Sequence, residues 1–204
     1  MVIGIIAVMT AVVMQSFQSY TRSLNLTTAG QFFRDGLELA RQTAVARNST
    51  VEVRIYQLPA TPGSTPANYC AFQAFLKGNQ TVPTYTAITA INYFPKSIVL
   101  STDSTKTSFL SSINQGLTVV GPAAGASPPA SAAPISLPSC GTNYNYLYFC
   151  YTPSGGTNLS PAAQWFATLM PQNVPVNAGN GGLPTDFATV QIDPVMGNAR
   201  VYHP

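Results

Sequence analysis

The stretch from Met1 to Asn48 constrains this chain most, because it reads as one long N-terminal helix that an ordinary compact domain cannot bury. Met1 to Met14 (MVIGIIAVMTAVVM) is apolar apart from Gly4 and Thr10, and no Lys, Arg, Asp, Glu or His appears before Arg22. The character then changes. Leu26, Ala29, Phe33, Leu37, Ala40 and Ala44 step by three or four and trace one stripe along a helix. Arg34, Asp35, Glu38, Arg41 and Arg47 fall mostly off that stripe, and Arg34 and Glu38 are spaced to pair at i,i+4. Unbroken, the helix runs roughly 70 Å at 1.5 Å per residue. Part of it must find a medium other than water.

A bilayer core about 30 Å thick takes about 20 apolar residues, and this run supplies only about 21 Å of helix. A run this short is often a buried core helix instead. A cleaved secretory signal would open with a basic segment and close on small residues, and neither flanks the run. The amphipathic stretch appended directly to it favours a helix half in lipid and half packed on a domain. Candidate membrane and assembly residues are therefore Val2, Ile3, Ile5, Ile6, Val8, Met9, Val12, Val13 and Phe17. Candidate contacts from helix to sheet are Leu26, Phe33, Leu37, Ala40 and Ala44. Met1 is expected to be an internal methionine, with the native chain extending a few apolar residues upstream.

Residues 49–204 suffice for one β-rich domain with its own core. Only 7% of the chain is charged, against about 25% in typical soluble proteins, and Ser, Thr, Asn, Gln, Pro and Gly supply the polarity. That is the surface of an exported domain. The net charge of +3 is small and its lysines and arginines are scattered, so no nucleic-acid footprint emerges. Cys70, Cys140 and Cys150 fit no metal spacing. Outside the cytosol one pair among them can be oxidised, leaving one thiol over; the competing reading is that Cys150, within a predicted strand, is simply buried.

Thr50–Tyr56 alternates Val51, Val53 and Ile55 with Glu52, Arg54 and Tyr56, the pattern of a half-buried strand, and Asn48 suits the helix C-cap before it. Further strands are predicted at Tyr69–Lys77, Tyr85–Tyr93, Ser97–Ser101, Leu117–Val120, Tyr144–Tyr151 and Gln164–Met170, with a helical turn at Ser108–Ile113. Gln57–Asn68 and Gln172–Thr185 read as loops, and Pro153–Gly156 as a turn. Phe187–Asp193 and Ala199–His203 form a hairpin about Pro194–Asn198. The stretch 121–138 (GPAAGASPPASAAPISLP) is a flexible low-complexity loop facing outward. The fold class is α+β, a long N-terminal helix on an antiparallel sheet, divided as 1–48 helix and 49–204 globular domain.

Chemistry is sparse. His203 is the sole histidine, next to the C-terminus and without a partnered nucleophile. Gly179, Gly181 and Gly182 follow no strand leading into a helix, so a phosphate loop is not indicated. Asp186, Asp193 and Asn198 lack the alternating acidic ligands of a calcium loop. Trp165 and Tyr144, Tyr146, Tyr148 and Tyr151 could face a carbohydrate, but strand aromatics more often pack across strands. No cofactor or metal site is expected, and no enzyme.

An apolar helix VIGIIAVMTAVVM running into LELARQTAVARNSTVEV resembles the type IV pilin-like minor pseudopilins, of the H/FimT class. YLYFCYTPSGGTNLS and FATVQIDPVMGNARVYHP are similar to that class's strand–turn and closing hairpin. More narrowly, ARQTAVARNSTVEVRIY, WFATL and FATVQIDPVMGNARVY resemble the pilin-like family called Verru_Chthon cassette protein D. The resemblance implies a membrane-inserted prepilin, cleaved by a prepilin peptidase and built into a filament or secretion pseudopilus. Its partners would be other pilin-like subunits, and inner-membrane lipid before assembly, with no small-molecule substrate and no nucleic acid. The globular domain would then lie in the periplasm or on a filament. The family's processing site and early acidic residue are absent and would precede Met1; a helix-kinking proline near Gln15 is absent too. The alternative is a surface adhesin or DNA-capturing minor pilin.

Overall fold

The computed structural model describes residues 2–59, 66–78, 84–110, 136–137, 140–172 and 183–204, with helix side chains from Tyr20 onward and those of the second strand from Asn68. Helix α1 spans Val2–Arg47. Its stop is local. Asn48 adopts φ 45°, the left-handed conformation that asparagine tolerates. The Ser49 N–H then reaches back to the Ala44 carbonyl at 3.1 Å and the Asn48 N–H to that of Val45 at 3.2 Å. These two bonds satisfy two of the last four carbonyls as the chain turns into the sheet. Asn48→Ala is expected to lower stability by about 1 kcal/mol, because alanine lacks the short polar side chain that lets asparagine sit in the left-handed conformation, read as a shift in the urea midpoint with unchanged slope.

The strands are β1 Val51–Pro59, β2 Pro66–Lys77, β3 Tyr85–Ala87, β4 Asn92–Tyr93, β5 Ile98–Leu100, β6 Asn145–Tyr151, β7 Trp165–Pro171, β8 Ala188–Ile192 and β9 Ala199–Tyr202. All their described pairings are antiparallel, in the order β6-β1-β2-β5-β7-β8-β9, with β3 and β4 also pairing with β2. One face of this sheet receives the helix stripe. Ala29, Phe33, Leu37, Ala40 and Ala44 are fully buried, and Leu26 nearly so, in one cluster with Val53, Ile55, Phe72, Phe149 and Val190. Two glycines on the stripe allow close approach. A β-carbon on Gly36 would lie 2.6 Å from Phe72 Cζ, and one on Gly30 3.0 Å from Val201 Cγ1.

The structure departs from the sequence reading in several places. Residues 57–59 and 66–68 belong to strands, so the first loop is shorter than Gln57–Asn68. The single strand expected over Tyr85–Tyr93 is two short ones separated by a bend at Ile88–Thr89. The helical turn survives as a 3-10 turn at Ser108–Leu110. The strand at 117–120 and the glycines 179, 181 and 182 lie outside the described residues, as does nearly all of the 121–138 loop. Leu137, at its end, is 4% exposed and packs inward. Arg34 does not pair with Glu38. Arg41 takes both Glu38 oxygens, at 2.7 and 3.0 Å, while Arg34 turns to Gln31 and Asp35. An acidic residue N-terminal to the cation is the better arrangement on a helix.

The largest departure concerns β1, which is buried on both faces rather than half-buried. Its polar residues face a second, smaller cluster of Tyr56, Leu58, Ala71, Leu137, Tyr144 and Tyr146. Glu52 and Arg54 are each 1% exposed, joined by Arg54 Nε donating to Glu52 Oε1 at 2.6 Å. The guanidinium lies 4.5, 4.8 and 4.9 Å from the ring centres of Phe75, Tyr85 and Tyr146. Burial pulls the Arg54 pKa down, but the charge and hydrogen bond of Glu52 outweigh it and the net shift is upward.

Candidate functional site: the outer face of the helix

With the stripe from Leu26 to Ala44 committed to the sheet, the opposite side of α1 is what the helix offers to a partner. Tyr20, Leu24, Leu39 and Val45 are 67, 52, 47 and 50% exposed, and Phe32 leans half out with its edge against Phe72. Phe32, Leu39 and Ala46 are seven apart and share one line along the helix, and Tyr20 and Leu24 are four apart. Polar groups among them are partly withdrawn: the hydroxyls of Thr27 and Thr43 donate to the carbonyls of Ser23 and Leu39, at 3.0 and 2.8 Å. Gln31, Arg34, Asp35 and Gln42 are exposed between these apolar residues, so the face is mixed rather than uniformly apolar. N-terminal of Leu26 the helix continues through Val2–Asn25, about 36 Å at 1.5 Å per residue. The candidate membrane residues Val2 to Phe17 lie on that part, and their side chains are outside the described residues. Among the described residues no helix is long and apolar enough to cross a membrane; the described helix side chains begin at Tyr20, beyond the apolar run.

The charged end of α1 is anchored. The Arg41–Glu38 fork, which holds the Glu38 carboxyl below the usual carboxylate range, sits where two glycine turns meet. Gly155 and Gly197 both have left-handed φ, 87° and 70°, and a β-carbon on Gly197 would be 3.0 Å from Arg41 Cδ. Thr157 ties the turns together, donating from its N–H and its hydroxyl to the Pro194 carbonyl at 2.9 and 3.0 Å. Asp193 caps the hairpin turn by accepting from the N–H groups of Val195 and Met196.

Two surface depressions flank this anchor. A groove of ≈ 730 Å³ runs between Gln31, Arg34 and Glu38 of α1 and Arg200 and Tyr202 of β9. A smaller one, ≈ 290 Å³, lies between Gln164, Asp193 and Arg200. Neither lining holds a histidine, cysteine or serine to act as nucleophile or base. His203 is exposed. Among the described residues no three His, Cys, Asp or Glu converge to hold a metal ion.

The strand aromatics take the cross-strand packing arrangement rather than a carbohydrate-facing one, with Tyr148 half-buried. Trp165 is 2% exposed, its Nε1 donating to the Ser160 carbonyl at 2.8 Å, and Tyr144, Tyr146 and Tyr151 are buried. The three cysteines are free thiols, Cys150 buried and the others half-buried. Sequence reasoning missed Gly30, Gly36 and Arg41. Glycines placed on the apolar stripe rather than at its ends were the available signal for the first two, since glycine within a helix is costly unless close packing needs it.

No family model matches this chain, and no curated protein does. Two solved structures are similar to it. The minor pseudopilin EpsH from the type 2 secretion system of Vibrio cholerae shares 11% identity over 88% of this chain and 98% of its own, with a TM-score of 0.45. The type IV minor pilin FimU of Pseudomonas aeruginosa shares 10% identity over 91% of this chain and 92% of its own, with a TM-score of 0.43. The helix-on-sheet architecture stands on the pairings described above.

Proposed function

We propose that this chain is a structural minor pilin or pseudopilin subunit of a type IV pilus-like or type II secretion-like assembly. The apolar part of α1 waits in inner-membrane lipid and then packs against the helices of sister subunits, while residues 49–204 remain in the periplasm or on a filament surface. In this division the stretch 1–48 is the assembly helix, whose second half also completes the core of the globular domain. Membership of the Verru_Chthon cassette protein D family is the narrower form of the same reading. No catalytic role is assigned.

The observation that carries the reading is the set of large apolar side chains Tyr20, Leu24, Leu39 and Val45, left exposed on the outer side of α1 among Gln31, Asp35 and Gln42 although the sheet-facing stripe is already satisfied. In lipid or among helices such a face is stabilised by packing rather than by release of water. Leu39→Asp is the test. Expressed in its native host, the variant should keep the wild-type thermal midpoint and membrane fractionation. It should lose co-purifying pilin-like subunits about tenfold, since a carboxylate in a helix interface costs at least about 1.4 kcal/mol. Retention of partners at wild-type yield would refute helix-face assembly.

A further inference from the structure

The three thiols sort by their positions along the paired strands. Cys150 stands opposite Glu52 of β1, and Glu52 in turn stands opposite Phe75 of β2. Cys70 is at the other end, in the irregularity between the pairs Tyr56↔Ala71 and Gln57↔Tyr69. Gln57 also pairs with Asn145 of β6, and Cys140 lies just before that end of β6. Five residues of β1 separate positions 52 and 57, roughly 17 Å at 3.3–3.4 Å per residue. A disulfide requires Cα atoms about 4.4–6.8 Å apart. Cys150 is therefore out of reach of both other cysteines.

Cys70 and Cys140, by contrast, pack against the same cluster, formed by Tyr56, Leu58, Ala71, Leu137, Tyr144 and Tyr146. Each is held there by its backbone. The Cys70 carbonyl accepts from the Phe94 N–H at 2.9 Å, and the N–H groups of Cys140 and Gly141 both donate to the Leu137 carbonyl, at 3.3 and 2.8 Å. We propose that Cys70 and Cys140 form an intramolecular disulfide when the chain meets a small-molecule or protein disulfide oxidant, with Cys150 left as a buried thiol. The exchange balances. One thiolate attacks the oxidant's S–S bond to give a mixed disulfide, and the second thiolate displaces the oxidant. One S–S bond breaks and one forms, two electrons pass to the oxidant, and the two thiol protons end on its two sulfurs. Burial raises the Cys70 pKa, a backbone hydrogen bond at Leu58 lowers it, and the Cys140 charge raises it. Burial pushes the Cys150 thiol up to about 11, which keeps it protonated and inert.

The bond would fasten Cys140, beside the Leu137↔Gly141 bridge, to the irregular point of β2 and close the chain between the two cysteines into a ring. It does not depend on the assembly reading, and its failure would leave the outer helix face as it is. The test uses the full chain in detergent micelles, equilibrated with oxidised and reduced glutathione, acid-quenched, denatured and alkylated. Wild type should give one alkylated thiol and a Cys70–Cys140 linked peptide. Cys150→Ser should give none, and Cys70→Ser or Cys140→Ser should each give two. Reduction should lower the urea midpoint of wild type and leave that of Cys70→Ser unchanged. Three alkylated thiols in oxidised wild type, a linked peptide containing Cys150, or only disulfide-linked dimers would each overturn the pairing.

Discussion

Glu52→Gln is expected to cost about 3–5 kcal/mol, because it leaves the Arg54 guanidinium charged and enclosed without its counter-ion. Both side chains are 1% exposed, so water cannot take the place of the lost carboxylate. Arg54 Nη2 already lacks a hydrogen-bond partner among the described residues, and the remaining support would be the faces of Phe75, Tyr85 and Tyr146. Such contacts are worth about 2 kcal/mol when desolvated, less than the charge needs. The double replacement Glu52→Leu with Arg54→Met removes both charges. It should restore stability to within about 1 kcal/mol of wild type or exceed it, as apolar substitutes for buried pairs do. Urea unfolding of the single and double variants decides the matter; a single variant within experimental error of wild type would show that the pair is not enclosed.

Phe33→Ala should be comparably severe, about 3–5 kcal/mol from lost burial and the cavity left behind. Phe33 is fully buried and stands edge-on to Phe72 at 5.1 Å and Phe94 at 5.5 Å. It lies where the helix approaches the sheet closely, since a β-carbon on Gly36 would run into the Phe72 ring. The loss should therefore appear as loosened docking of α1. Hydrogen exchange should accelerate over residues 26–44 more than over β1, and trypsin should cleave at Arg34, Arg41 and Arg47 in the variant before wild type. Uniform acceleration across the chain would locate the damage in the sheet instead.

These two sites differ in how readable they were. The stripe through Phe33 is a local pattern with a period of three to four, so residues within one segment suffice to see it. Asn48 was equally plain, because the left-handed cap needs only a residue type and a place. Glu52 and Arg54 misled for the opposite reason. Alternation normally reports one wet face, and here the polar members of the alternation satisfy each other beneath a second layer contributed by Tyr85 and Leu137, far along the chain. Sheet order was likewise hidden. Nothing local to β5 says that it joins β2 to β7, since strand pairing depends on partners distant in sequence. The periodic stripe names neither Leu39 nor Val45, whose exposure follows only from knowing which side the sheet occupies.

Only Ser49 and Thr50 separate the last left-handed residue of the rod from β1. β1 is bonded to β2 along Val51–Pro59 and to β6 along Val51–Gln57. Ladder hydrogen bonds run across the strands, so a pull transmitted through that short joint loads both rows in shear, many bonds at once, instead of peeling them singly. The joint thus behaves as a stiff mechanical coupling, and tension reaching it from the N-terminal side is met by a strand bonded along both of its edges.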